Sequence, residues 1–251
     1  MLKTSITNIA GDDIVVRGRS LAEDLVGKIS FSDFIFLHAR GRLPSEAESV
    51  LFGALLVNSM DHGINLPVLS ARLTYGGAPD AIQGAIAAGI LGVGRVGDGA
   101  IETVASTLYE LSAKVEAGAS EEEAVDEFIS AMVEKGGPIA GLGHAYHKTG
   151  DTRVDRLFEL AEEQKVSGRY IRLLKMIAER FSARKGKSIP INGAGAVAAL
   201  YCELEFPAPF AKAATIVALS AGVAGHLMEE ISQPMAREIR NLVAKNVVYT
   251  E

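Results

Sequence analysis

Apolar residues recur every three to four positions along most of the chain, and polar or glycine-rich breaks separate the runs, which is the pattern of a protein built from helices. Only the N-terminus departs from it. Across residues 5–19, β-branched residues alternate around Gly11-Asp12-Asp13, predicting a short hairpin and hardly any other sheet. Ser20-Leu21-Ala22-Glu23 has the capping-box form that opens a helix, and Ser30-Phe31-Ser32-Asp33 opens another. Gly41-Arg42-Leu43-Pro44-Ser45 then interrupts, with Ser45 as the N-cap of a helix over 46–58. Amphipathic helices follow over 102–117 and 120–135, the second with Glu121, Glu122 and Glu123 where negative charge complements the helix dipole. Further helices are predicted over 153–163, 167–182 and 211–230. Residues 81–94 carry small side chains every three or four positions, the pattern of a buried helix packed closely within the chain or between subunits. The sum is an all-α protein of about ten to twelve helices, with no internal repeat at a solenoid period.

Composition narrows the class. The chain has 251 residues, 48% hydrophobic and 22% charged, enough for a sizeable core in one large domain or a large one with a small cap. A net charge of -6 argues against a nucleic-acid surface, although a local basic patch can still hold phosphates. The single cysteine, Cys202, allows no internal disulfide and reads as a small buried hydrophobe in a reducing compartment. The longest stretch free of Asp, Glu, Lys and Arg, 213–228, falls short of the roughly 18 to 20 residues that span a bilayer. The expectation is a cytoplasmic protein with no membrane or nucleic-acid partner.

Three stretches carry candidate chemistry. In residues 136–153 a glycine-rich turn delivers His144, and Lys148 and Arg153 add positive charge beside a group that titrates near neutrality. This reads either as an active-site segment or as a surface loop between helices. Around Asp61-His62-Gly63, an imidazole could meet a carboxylate, or His62 could simply lie at a helix end terminated by Gly63; the two readings are compatible. Arg184-Lys185-Gly186-Lys187 is a compact basic cluster, suited to phosphates or to solvent.

Read residue by residue, Gly141-Leu142-Gly143-His144 with Lys148, Asp151 and Arg153 resembles the Gly-x-Gly-His…Lys…Asp-x-Arg motif of the citrate synthase superfamily. Gly41-Arg42-Leu43-Pro44, Asp61-His62 and His226-Leu227-Met228-Glu229-Glu230, which stands at the family's Ala-His-x-x-Glu-Glu end with Gly225 in place of the alanine, extend the resemblance over nearly the whole chain. It implies a citrate synthase fold, with a large helical domain (1–152 and 189–251) and a small one (153–188), assembled as a homodimer or larger homo-oligomer. It also implies a coenzyme A thioester and a di- or tricarboxylic acid as substrates, with no metal and no permanently bound cofactor. His144 would contact the substrate hydroxyl or keto oxygen, His62 the oxo acid, and Arg153 a carboxylate. Gly141, Gly143, Lys185 and Lys187 would hold coenzyme A.

Three departures from the family pattern shape the expected reaction. Tyr75 stands before Gly76-Gly77 where synthases are expected to have an enolising histidine, and a phenol donates a hydrogen bond but does not shuttle protons near neutrality. Asn192 stands where the family has its catalytic aspartate; an amide can hold an enolate oxygen but cannot move the proton at carbon. The carboxylates considered as substitutes are Glu203, Glu205, Glu229 and Glu230. Gln233 replaces the arginine of an Arg-Pro pair, and Arg237 is the candidate replacement clamp. The chain is thus most similar to short citryl-CoA lyase-type members and to the C-terminal citryl-CoA lyase module of ATP-citrate lyase. The resemblance implies cleavage of a 3-hydroxy-3-carboxyacyl-CoA to acetyl-CoA and an oxo acid such as oxaloacetate. The alternatives are a synthase running the condensation and a non-catalytic binder of coenzyme A or acid.

Overall fold

The computed structural model describes residues 2–94, 99–143 and 150–250. Eleven α-helices occur among them, with one small sheet at the N-terminus. Strands β1 (Thr7–Ala10) and β2 (Asp13–Val16) form the expected antiparallel hairpin, in register Ala10↔Asp13 across Gly11-Asp12. A third strand, β3 (Arg19–Ser20), which the sequence did not predict, pairs with β2. The chain divides into two compact units, one of residues 1–56 and 100–211, the other of residues 57–99 and 212–251.

In the first unit most helix starts lie where the sequence placed them, because N-capping is a local matter of one side-chain oxygen and one orphan N–H. Ser20 Oγ accepts from Glu23 N at 3.0 Å, but Ser20 N donates to Asp24 Oδ2 and not to Glu23, and only one wide π-type turn (Leu21–Leu25) follows. Helix α1 (Phe31–Arg40) starts on Ser30 and ends on Gly41 in the left-handed region. Helix α2 (Glu46–Met60) has a full capping box, with Glu48 Oε2 accepting from Ser45 N and Ser45 Oγ from Glu48 N. The bidentate Arg42 fork on Glu48 holds that carboxyl down at about 2. Helices α5 (Ala100–Glu116), α6 (Glu121–Glu134), α7 (Thr152–Glu163), α8 (Arg169–Lys185) and α9 (Gly193–Glu203) complete this unit, with α5, α6, α7 and α8 all within a few residues of expectation. The segment 153–188, expected as a small domain, supplies most of α7 and all of α8, and α8 packs on α9, α6 and α5.

Helix α9 is the axis of this core. Gly193 and every residue from Gly195 to Cys202 are buried, and Phe36, Phe52, Tyr201 and Phe206 meet edge to face around its C-terminal end. Cys202 behaves as the small hydrophobe expected: it is fully buried and desolvation pushes its thiol up to about 12.

The second unit is built on α3 (Leu66–Gly77), α4 (Ile82–Leu91), α10 (Ala208–Ser232), most of which belongs here, and α11 (Ala236–Asn246), a helix the sequence did not predict. Val68 and Ala71 of α3, Ala85 of α4, and Leu219, Val223 and Leu227 of α10 form its core. Helix α4 packs closely, as its small residues require: a Cβ on Gly89 would lie 3.0 Å from Pro67 O and 3.2 Å from Ala71 Cβ. It is buried on one face only, however, since Leu91 is 86% exposed, so the expected full burial does not hold within the chain. By length and composition α10 alone among the described helices could cross a membrane, contrary to the expectation from charge-free stretches. It nevertheless supplies core residues here, and 44% of its most apolar window is buried.

Gly222 of α10 lies against the Met60 carbonyl so closely that any Cβ would collide with the backbone. Gly222→Ala should therefore destabilise: overpacking costs about 1–3 kcal/mol, more than the roughly 1 kcal/mol that alanine gains in a helix. Urea unfolding checks this, and an unchanged or raised midpoint would contradict the contact.

Candidate active site

In the first unit the sequence motifs meet at one tie between two segments. Leu142 pairs with Ile191 as an isolated antiparallel bridge, flanked by Gly143 N donating to Pro190 O (2.7 Å) and Asn192 N to Gly141 O (2.9 Å). Gly141 and Gly143 have φ of 86° and 71°, which a residue with a Cβ adopts only at a cost. Space matters as much as dihedral angle. A Cβ on Gly195 would lie 2.5 Å from Gly141 O, and one on Gly141 would lie 3.1 Å from Gly195 Cα.

Asn192 completes the tie. It is the N-cap of α9, its Oδ1 accepting from Gly195 N at 3.0 Å, while its Nδ2 donates to Gly143 O at 2.8 Å. Both ends of the carboxamide are engaged, and the second N–H of Nδ2 is the one left for a ligand. Arg153 is set by the adjoining helix. Asp151 is the N-cap of α7 and is almost fully buried, and its two oxygens take Arg153 Nε (3.0 Å) and Nη2 (2.7 Å) as a bidentate fork. A Cβ on Gly193 would lie 3.5 Å from Arg153 Nη2, so the guanidinium is next to the first turn of α9. Gly141, Gly143, Asn192 and Arg153 thus come together as expected, whereas His144 and Lys148 lie outside the described residues.

Beside this tie is a cleft of about 650 Å³ whose lining joins the glycine turn (Gly136, Gly143) to Lys185 and Lys187. Gly186 ends α8 in the left-handed conformation, and Ser182 Oγ accepts from Ile189 N at 3.0 Å, which fixes the strap carrying Lys187. Lys185 Nζ lies 5.5 Å from the centre of the Phe181 ring. The basic cluster divides by role, since Arg184 donates to Ser130 Oγ at 2.9 Å and Lys185 and Lys187 line the cleft.

His62, Tyr75, Gln233 and Arg237 belong to the second unit. His62 follows the end of α2; its Nε2 is 2.9 Å from Asn65 Nδ2, and Asn65 in turn caps α3. Tyr75 packs on the core of α3, α4 and α10. Gln233 N closes the end of α10 on Glu229 O, and Arg237 lines a cleft of about 460 Å³ with Gly76, Gly77 and Pro234.

The sequence reading missed the centre of this unit, fully buried Arg72. Its guanidinium meets Glu229, Glu230 Oε2 (3.0 Å) and His226 Nδ1 (3.1 Å), while Glu230 Oε1 accepts from Met235 N and Ala236 N at the start of α11. Burial raises the Glu230 carboxyl, but those two N–H groups and Arg72 outweigh it and hold it below the ordinary range. His226 Nε2 lies 3.1 Å from Asp61 Oδ2, an ion pair whenever the imidazole is protonated. An arginine in an otherwise apolar helix was the available signal. None of the carboxylates considered as substitutes for an aspartate at 192 is spare. Glu229 and Glu230 hold Arg72, Glu205 pairs with Arg40 at 2.7 Å, and Glu203 takes Gly168 N and Ile171 N at 3.0 Å each. Burial raises the Glu203 carboxyl in spite of those bonds.

Comparison with known proteins agrees with this geometry. The family model described as citrate synthase, C-terminal domain, matches residues 39–241. "Citrate synthase 2" of Bacillus subtilis (strain 168) is 31% identical over 122 residues, which is 49% of this chain and only 31% of that protein. Among solved structures, citryl-CoA lyase from Hydrogenobacter thermophilus superposes with a TM-score of 0.88 at 32% identity, covering 100% of this chain and 95% of the other. ATP citrate lyase from Methanothrix soehngenii, solved with citrate and coenzyme A, shares the fold at a TM-score of 0.79 and 19% identity, with 42% of its length covered. The glycine turn tied to the start of α9, in a helical fold like that of citryl-CoA lyase, is what a family match over most of the length explains: the chain belongs to the citrate synthase family.

Proposed function

We propose that the protein is a carbon–carbon lyase that cleaves citryl-CoA to acetyl-CoA and oxaloacetate. The observation that carries this reading is the full-length likeness to the citryl-CoA lyase of H. thermophilus, and the cleft joining Gly143 to Lys185 and Lys187 supports it as a seat for a coenzyme A thioester. In the reaction the tertiary hydroxyl loses its proton and becomes the keto group of oxaloacetate. The bond from that carbon to the thioester's α-carbon breaks, and its electron pair passes to the acetyl-CoA fragment as an enolate, which is protonated at carbon.

His144 takes the hydroxyl proton, and Arg153, oriented by Asp151, holds a carboxylate. The second Nδ2 proton of Asn192 faces the enolate oxygen. Within the second unit, Arg237 is the residue suited to clamp a carboxylate. Condensation in the reverse direction is the alternative, favoured by the partial match to Citrate synthase 2. A binding protein without turnover is the other, favoured by the structural engagement of Asn192 and all four glutamates. Exposed Val57, Leu66, Leu91 and Met228 of the second unit support assembly as a homo-oligomer.

Added citryl-CoA should yield oxaloacetate, read as NADH consumption by malate dehydrogenase; no oxaloacetate at any enzyme concentration would refute the lyase reading. His144→Ala should lower that rate by about 100-fold or more with the circular dichroism spectrum unchanged. Loss of the spectrum together with the activity would make His144 structural. Coenzyme A should bind more tightly than dephospho-coenzyme A in calorimetry, and Lys187→Ala should remove the difference. Equal affinities in the wild type would count against phosphate binding by the basic cluster.

A further inference from the structure

Lys185 and Lys187 bring positive charge to the cleft beside the glycine turn, and no acidic residue lines it among the described residues. A lysine is a point charge on a flexible four-carbon stem, so its aim depends on how firmly the backbone beneath it is held. Lys185 is set by the helix itself: it is the last residue of α8, and its Nζ lies 5.5 Å from the centre of the Phe181 ring one turn back. That end of α8 is held to α6, where Arg184 donates to Ser130 Oγ (2.9 Å) and Arg180 pairs with Asp126. Lys187 has no such support. It lies past Gly186, whose left-handed conformation ends the helix, on the strap that runs on to Pro190.

One side chain closes that strap. Ser182 O accepts from Lys187 N at 3.3 Å while Ala183 O accepts from Gly186 N at 3.2 Å, which are the two bonds of a Schellman ending. A backbone cap of this kind asks nothing of the side chain at 182. The Ser182 hydroxyl nevertheless reaches on to Ile189, accepting from its N–H at 3.0 Å and lying 3.4 Å from its carbonyl oxygen. Lys187 is thereby enclosed between two attachments to one residue. Beyond Ile189 the chain enters the tie to the glycine turn through Pro190 O and Ile191. Without the hydroxyl, Ile189 N–H loses its partner, and the strap is free to swing about Gly186, the position with the most backbone freedom.

We propose that Ser182 is a positioning residue for phosphate recognition, its hydroxyl holding the strap so that Lys187 meets the 3′-phosphate of a coenzyme A thioester. The proposal rests on reading the cleft as the coenzyme A seat, and it adds a residue that itself touches no ligand. Calorimetry with coenzyme A and dephospho-coenzyme A tests it on the wild type, Ser182→Ala, Ser182→Thr and Ser130→Ala. The ratio of the two affinities isolates the phosphate, because a general loosening of the fold weakens both ligands alike. Ser182→Ala should lower the ratio about fivefold, the net worth of one hydrogen bond, with the affinity for dephospho-coenzyme A unchanged. Ser182→Thr, which keeps the hydroxyl, should restore the ratio, and Ser130→Ala, which removes a hydroxyl from α6, should leave it at the wild-type value. An unchanged ratio in Ser182→Ala, an equal weakening of both ligands, or a threonine variant that behaves like the alanine one would overturn the proposal and leave the coenzyme A reading intact. Equal affinities of the wild type for the two ligands would instead remove phosphate recognition by the basic cluster, and this proposal with it.

Discussion

The contact between Gly141 and Gly195 is the constraint that most of the first unit serves. Two backbone segments far apart in sequence approach until a single methyl group on either glycine would meet main-chain atoms. The bridge from Leu142 to Ile191 and the two bonds of the Asn192 carboxamide close the same junction. Because α9 is the buried axis of this core, the glycine turn is referenced to a helix that is packed along nearly its whole length. A turn held this way can meet a ligand without first being ordered by it, which lowers the entropic cost of binding.

Electrostatics organises the second unit in a different manner. Arg72 is wholly inside, and it is tolerable there only because carboxylates and a histidine surround it; removing both carboxylates would leave its charge unpaired in a medium that solvates it poorly. The arrangement transmits position: Glu230 is held by α3 through Arg72 and holds α11 by its N-terminus. A buried ion pair adds little net stability over an apolar core, so its geometric role is the more substantial one. In both units, then, a polar side chain bonded through both of its terminal polar atoms fixes the start of a helix that carries functional groups.

Much of this was legible from the sequence, and the reason is range. Ser30, Ser45 and Ser120 cap helices within three or four residues of themselves, and the hairpin closes across two residues, so local chemistry determined them. The family motif placed Gly141, Gly143, Asn192 and Arg153 together, which composition alone would not have done. What escaped depends on distant partners. Strand β3 is two residues long and exists only against β2; Arg72 meets Glu229 and Glu230 from more than 150 positions away. The exposure of Leu91 reflects which face of α4 has neighbours, and periodicity does not record that. Asn192 reads from sequence as a catalytic substitution, whereas in three dimensions it is first a helix cap and a tie.

That last point gives the most direct test. Asn192→Asp keeps the acceptor for Gly195 N and gains the roughly 0.3–1 kcal/mol that a negative charge brings to a helix start. It loses the donor to Gly143 O and sets a carboxylate oxygen against a carbonyl, an unpaired contact worth about 1–3 kcal/mol. Urea unfolding at neutral pH should therefore show Asn192→Asp less stable than the wild type by about 1–2 kcal/mol. An unfolding free energy equal to or above that of the wild type would contradict the claim that this carboxamide ties the glycine turn to α9.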